Sequence, residues 1–207
     1  MYSDVMSLDD TGEPLPQDRR VQRSRSALMA AAVRLVSERG TTAIPVTDLA
    51  EAANVSRQLV YLQFGDRDAL LTEAALDLLR REFLPEVDGN AELVPEVILA
   101  ATRHFAQHRP FYRAMLTGSC VSAMTSALSG FFRSLNRPVV RRQFGDLDDI
   151  TTTDLTVFIT SGTTGVINDW LIYGADPLDP EELAKRLLRV AALIGSPNDL
   201  GRGGHAQ

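Results

Sequence analysis

Between Asn54 and Leu71 the chain reads NVSRQLVYLQFGDRDALL, which places Arg57, Gln58, Tyr61 and Gln63 within about two helical turns. An ordinary solvated helix face carries Lys and Glu; these four side chains instead make directed hydrogen bonds. Arg can span O6 and N7 of a guanine, Gln can pair with the edge of an adenine, and a leucine such as Leu59 can touch a thymine methyl. Each good bidentate contact of this kind discriminates by about 1–3 kcal/mol. The chemistry on offer is recognition of base edges in double-stranded DNA.

The surrounding sequence supplies elements that could position that face. Apolar residues recur at helical spacing from Ser24 to Arg39, with Leu28, Ala31, Ala32, Leu35 and Val36 on one side, and Gly40 stops the helix. A short helix after Pro45 turns Leu49, Ala50 and Ala53 inward. Asn54 then provides the turn, because Asn tolerates the left-handed conformation better than most residues. Ser56 is a suitable N-cap for a third helix whose inward positions are Val55, Val60 and Phe64, leaving Arg57, Gln58, Tyr61 and, partly, Leu59, Leu62 and Gln63 outward. Two short helices joined by a tight turn and packed on a longer one are a helix-turn-helix. Asp66 caps a fourth helix running toward Pro85.

Strand alternation is absent throughout, so the fold class is all-α. Further helices are predicted from Val94 to His108, from Pro110, from Cys120 to Phe144 with Pro138 kinking or dividing it, from Thr151 to Tyr173, and from the DPEEL start through Ile194. Residues 1–18 read as a disordered arm and 196–207 as a disordered tail. The division expected is a DNA-binding headpiece at 19–66 and a regulatory body at 67–195.

Charge is segregated along the chain. The total is −6, yet Arg19–Gly65 holds seven arginines against three acids, a surplus of four, so the remainder carries −10. Phosphates respond to the local patch. Arginine makes up twenty of the 21 basic residues, a bias that base composition of the genome explains at least as readily as function. A single cysteine, Cys120, excludes an internal disulfide framework and suits a reducing cytoplasm. With no apolar leader and no stretch long enough to span a bilayer, a cytoplasmic protein is expected.

The segment VTDLAEAANVSRQLVYLQFGDRDALL resembles the DNA-binding headpiece of the TetR family of bacterial transcriptional regulators, through Leu49, Ala50, Ala53, Val55, Ser56, Tyr61, Phe64, Asp66, Arg67 and Leu70. The resemblance implies that Tyr61 and Gln63 hold phosphates or bases, that Thr47 reaches DNA from the preceding helix, and that Arg67 grips a phosphate at the start of the fourth helix. Pro45 stands where the family has a threonine, and Asn54 where it has glycine. The stretch RRVQRSR before the first helix reads either as an arm tracking the backbone or minor groove or as a solvated basic lead-in.

Beyond Pro85 the likeness is one of architecture: a helical ligand-binding and dimerisation bundle, with the last two helices pairing across a homodimer. Gly162 and Gly165 inside a helix cost about 1 kcal/mol each relative to Ala, which close approach of another helix or packing within the monomer would each explain. The resemblance also implies a small-molecule effector, with Phe105, His108, Phe111, Tyr112, Met115, Met124, Phe158, Asn168 and Trp170 as candidate pocket residues. Aromatic and Met residues at helical spacing serve as plain core more often than as pocket. His104 and His108 are four apart, but no carboxylate or cysteine at supporting spacing completes a metal set. No cofactor motif or catalytic constellation can be assembled. The expected protein is a ligand-responsive regulator, most simply a repressor on an inverted-repeat operator. Its rivals are a sensor or carrier of the same fold that no longer reads DNA, and a helical enzyme using His104, His108 or Cys120.

Overall fold

The computed structural model describes residues 16–87 and 94–195, and these are helical with no strand among them. The expected arm and tail lie for the most part outside the described residues. Ten α-helices follow in order: α1 (Pro16–Arg39), α2 (Val46–Ala52), α3 (Arg57–Phe64), α4 (Arg67–Leu78), then a π-helical turn at Leu79–Phe83, α5 (Leu84–Val87), α6 (Val94–Gln107), α7 (Arg109–Thr117), α8 (Val121–Phe144), α9 (Asp149–Tyr173) and α10 (Pro180–Gly195).

Two boundaries differ from the sequence reading. The first helix begins at Pro16, so RRVQRSR is two turns of α1 and not an extended arm; nothing between Arg19 and Ser24 breaks a helix, and Gln22 and the arginines are good helix formers. Pro138 lies inside α8 without dividing it.

The helices gather into two compact units. One comprises the described residues up to Glu82 together with His108–Leu128; the other comprises Phe83–Gln107 with the described residues from Ser129 onward. This packing does not follow the 66/67 division read from the sequence, because α7 packs on α1. In the first unit α1 also contacts α2 and α4, and α3 contacts α2 and α4. Its core holds Leu28, Ala32, Val36, Ile44, Leu49, Val60, Leu70, Leu71, Phe111, Tyr112 and Met115. Burial pushes the Tyr112 phenol well above its ordinary range, and the Glu82 carboxylate adds to the effect.

Gly118 makes the α7–α8 turn possible. A Cβ there would collide with the Thr42 hydroxyl and lie 2.9 Å from the Ala114 carbonyl oxygen. Without it the turn lies against Thr42, and the Thr42 and Ser119 hydroxyls are 3.4 Å apart.

In the second unit α6 packs on α5, α9 and α10. The buried side of α9 is polar over most of its length: Thr152, Thr156, Thr160 and Thr164, each four residues on, form one stripe that Ile167 and Leu171 continue as apolar. Thr156 satisfies its hydroxyl within its own helix, donating to the Thr152 carbonyl at 2.6 Å, whereas the Thr160 hydroxyl is met from α8 by the Asn136 amide at 2.9 Å. Ile150, Phe158 and Tyr173 are large apolar side chains of α9 that stand exposed.

Asp148 starts α9 by accepting the backbone N–H groups of Ile150 and Thr151, both at 2.9 Å, and the Thr151 hydroxyl at 2.6 Å. These bonds, that of the Thr151 side chain foremost, hold the Asp148 carboxyl below the usual carboxylate range. A depressed folded-state pKa means that this contribution to stability is complete above the ordinary Asp pKa and is lost as pH falls through the lowered value. Protection factors of the amides in the first turn of α9, taken relative to the intrinsic exchange rate at each pH, should therefore fall on acidification, and Asp148→Asn should flatten that pH dependence.

Candidate nucleic-acid interface and ligand cavity

The turn between α2 and α3 is built from backbone hydrogen bonds that the sequence makes possible. Asn54 takes φ +53°, its N–H bonds the Glu51 carbonyl at 3.0 Å, and the Val55 N–H bonds the Ala50 carbonyl at 2.9 Å. This paired closure is a Schellman motif with Asn in place of the usual Gly. Ser56 then caps α3, its hydroxyl accepting the Leu59 N–H at 3.3 Å. At the far end Gly65, with φ +82°, reverses the chain, and Asp66 accepts the Ala69 N–H at 2.7 Å to start α4.

Between these caps α3 divides as its periodicity predicts. Val60 is fully buried, whereas Arg57, Gln58, Tyr61 and Leu62 are exposed, Tyr61 by 54% and Leu62 by 76%. Leu59, Gln63 and Phe64 are half-buried. Leu62 is more outward than Leu59 and forms an apolar tip beside Tyr61. Arg57 makes no ion pair among the described residues, so its guanidinium is available to a base edge or phosphate.

Four candidate DNA contacts are engaged within the chain, Ser56 through its cap among them. The Thr47 hydroxyl lies 3.3 Å from Asp48, whose carboxylate pairs with Arg39 at 2.6 Å. Arg67 donates to Asp68 at 2.8 Å and to the Ser119 hydroxyl at 3.3 Å, which ties the start of α4 to the α7–α8 turn. Pro45 precedes α2 with φ −59° and gives it no side-chain cap. Gln63 is held by Arg25, a residue the sequence reading did not single out. From α1, the Arg25 guanidinium donates to the Gln63 carbonyl at 2.9 Å, approaches its side-chain oxygen at 3.5 Å, and lies 4.5 Å above the Phe64 ring. A cation on the last carbonyls of α3 complements the helix dipole and fixes the direction of the helix. Arg25→Ala should lower stability by about 1–2 kcal/mol, measurable as a lower urea midpoint at unchanged slope.

The second unit contains a cavity of about 370 Å³ between α6, α8, α9 and α10, within the size range of small-molecule sites. Val97, Ile98, Phe132, Leu135, Val139, Phe158, Ile167 and Leu187 give it apolar walls; Asn136, Gln143, Thr160, Thr163 and Thr164 supply its polar groups. Of the nine candidate pocket residues only Phe158 lines it. Phe111, Tyr112, Met115 and Met124 are fully buried in the first unit. His108 precedes α7 and sets its Nε2 2.6 Å from a Glu82 oxygen, a carboxylate partner that no spacing argument reveals. Phe105 stacks with His104 and Phe132 in a cluster that includes Phe83 and Phe131. The Trp170 carbonyl accepts the Gly174 N–H that closes α9. Asn168 buries its side-chain oxygen without a partner among the described residues, and does so away from the cavity wall.

A capped three-helix headpiece with a directed hydrogen-bonding face on its last helix defines a DNA-binding helix-turn-helix protein. Two family models match in tandem: bacterial regulatory proteins of the tetR family over residues 28–74, and a transcriptional regulator C-terminal region over residues 94–192. The chain belongs to the TetR family of transcriptional regulators.

Among curated proteins it is 28% identical over 89 residues to the HTH-type transcriptional regulator HbdR of Aromatoleum sp. (strain CIB); the match covers 42% of this chain and 39% of that relative's length. Solved structures of similar fold include the TetR-family repressor FadR of Thermus thermophilus in complex with lauroyl-CoA, at 20% identity and TM-score 0.58 over 88% of this chain and 98% of that one. NalD, the secondary repressor of the MexAB-OprM multidrug efflux pump in Pseudomonas aeruginosa, has 19% identity and TM-score 0.54 over 87% and 98%. No helix among the described residues is long and apolar enough to cross a membrane.

Proposed function

We propose that the chain is a cytoplasmic repressor that binds an inverted-repeat operator as a homodimer and is released by a small molecule held in the second-unit cavity. The observation that carries the reading is the outward face of α3, where Arg57, Gln58 and Tyr61 stand clear of a rigidly capped scaffold. Repression is the role named for FadR and NalD.

The homodimer rests on α9 and α10. A Cβ built at Gly165 meets nothing within 4 Å, so close packing within the chain does not account for this glycine; Gly162 has the same space over it but borders the cavity. Phe158 beside them, and Val190 and Leu193 on α10, are exposed. Such a face suits pairing with the same face of a second copy, and two-fold pairing would match a two-fold operator. Release follows only if the effector binds one arrangement of the dimer better than the other, since a ligand with equal affinity for both shifts nothing.

The test is selection from random duplex DNA with the purified chain at physiological salt, followed by sequencing of what is retained. Recovery of an inverted repeat supports the reading. Retention that depends on salt but not on sequence would refute operator reading and favour a sensor of the same fold.

A further inference from the structure

The cavity also has a chemical character. None of the described residues lining it is ionisable: the polar part of the wall consists of amides and hydroxyls only. Arg142 lines an adjoining depression and not the cavity, and it is not a free cation. An ionised ligand would leave water without a compensating charge, which is far costlier than burying a neutral group that finds a hydrogen bond.

The polar groups have unused capacity. Asn136 donates to the Thr160 hydroxyl at 2.9 Å, which orients the amide across from α9. Thr164, one helical turn further along the same stripe, is 8% exposed, lines the cavity and makes no hydrogen bond among the described residues. A hydroxyl in that position can donate to a ligand oxygen.

We propose that the cavity takes an uncharged, mainly apolar molecule with one hydrogen-bond-accepting oxygen, received by Thr164 beside the Asn136–Thr160 pair. The inference rests on the effector reading above and names the chemistry of its ligand. An apolar wall supplies affinity and the polar group supplies orientation. A hydroxyl–carbonyl bond in such a site would favour a ligand with the oxygen over its hydrocarbon counterpart by about three- to tenfold.

The test uses the full chain and three rigid probes of similar size: 2-acetylnaphthalene, 2-ethylnaphthalene and 2-naphthoate. Each competes with the neutral fluorophore N-phenyl-1-naphthylamine at pH 7.5, where the naphthoate is ionised. The ketone should displace the fluorophore best, the hydrocarbon should be about three- to tenfold weaker, and the carboxylate should be the weakest. Thr164→Val should reduce the preference for ketone over hydrocarbon while leaving hydrocarbon binding in place, with Asn136→Leu as a second variant. Carboxylate binding as tight as that of the ketone, or a ketone preference that survives both substitutions, would overturn the proposal. Failure of every probe, the fluorophore included, would overturn it together with the effector reading. Ketone binding in the expected order that leaves the selected duplex bound would support the assigned cavity chemistry and count against the effector reading alone.

Discussion

Gly165→Leu is expected to give a chain that folds at least as well as the native one but self-associates far more weakly. The two effects have opposite signs because they arise in different places. Inside α9, replacing glycine removes a helix penalty of about 1 kcal/mol, and a Cβ at 165 meets no atom within 4 Å in the monomer. Across a two-fold interface the same leucine would hold two α9 helices apart. Overpacking costs about 1–3 kcal/mol per site and occurs twice in an isologous dimer, so self-association should weaken by roughly 30-fold or more. Sedimentation velocity reads the association and the urea midpoint reads the fold. A variant that dimerises with unchanged affinity would show that α9 is not the paired face.

Arg57→Ala is expected to cost about 1–3 kcal/mol on the preferred duplex and to relax the preference at particular base pairs. Arg57 lies exposed on α3 with no ion pair among the described residues, so its removal should leave folding intact. Arg67→Ala should behave differently. Arg67 bonds Asp68 and Ser119, so its loss should lower both stability and the affinity for all sequences, with the salt slope reduced by up to about one. Binding titrations of both variants on the selected and on a scrambled duplex separate the two cases. Equal losses on both duplexes for Arg57→Ala would remove its base-reading role.

The headpiece was legible in the sequence because its determinants are local. Eight residues suffice for the 3.6-residue period to send Val60 inward and Arg57, Gln58 and Tyr61 outward, and Ser56 and Asp66 cap within three residues of themselves. Contacts that join helices distant in sequence were not legible. Arg25 reaches Gln63 across 38 positions and Arg67 reaches Ser119 across 52; neither side chain declares a partner through its type.

The chain beyond Pro85 shows a different difficulty. Phe111, Tyr112 and Met115 have a composition equally fit for a pocket wall or a core, and packing made them core. The cavity instead draws on threonines of α9, which as polar residues read as outward. Thr160 is received by the Asn136 amide of α8 and Thr164 turns toward the cavity, arrangements between helices that hydrophobic periodicity does not register.

The return of α7 to the first unit bears on how such proteins can be recombined. A chimera that joined this DNA-reading segment to another relative's sensing half at residue 66, or even at 82, would leave behind the residues that cover α1: Phe111, Tyr112 and Met115, together with the Gly118 turn that receives Thr42 and Arg67. The compact unit is discontinuous, the described residues up to Glu82 plus His108–Leu128. A chimera that keeps the first piece without the second should therefore lose stability, although the second carries none of the exposed polar side chains of α3.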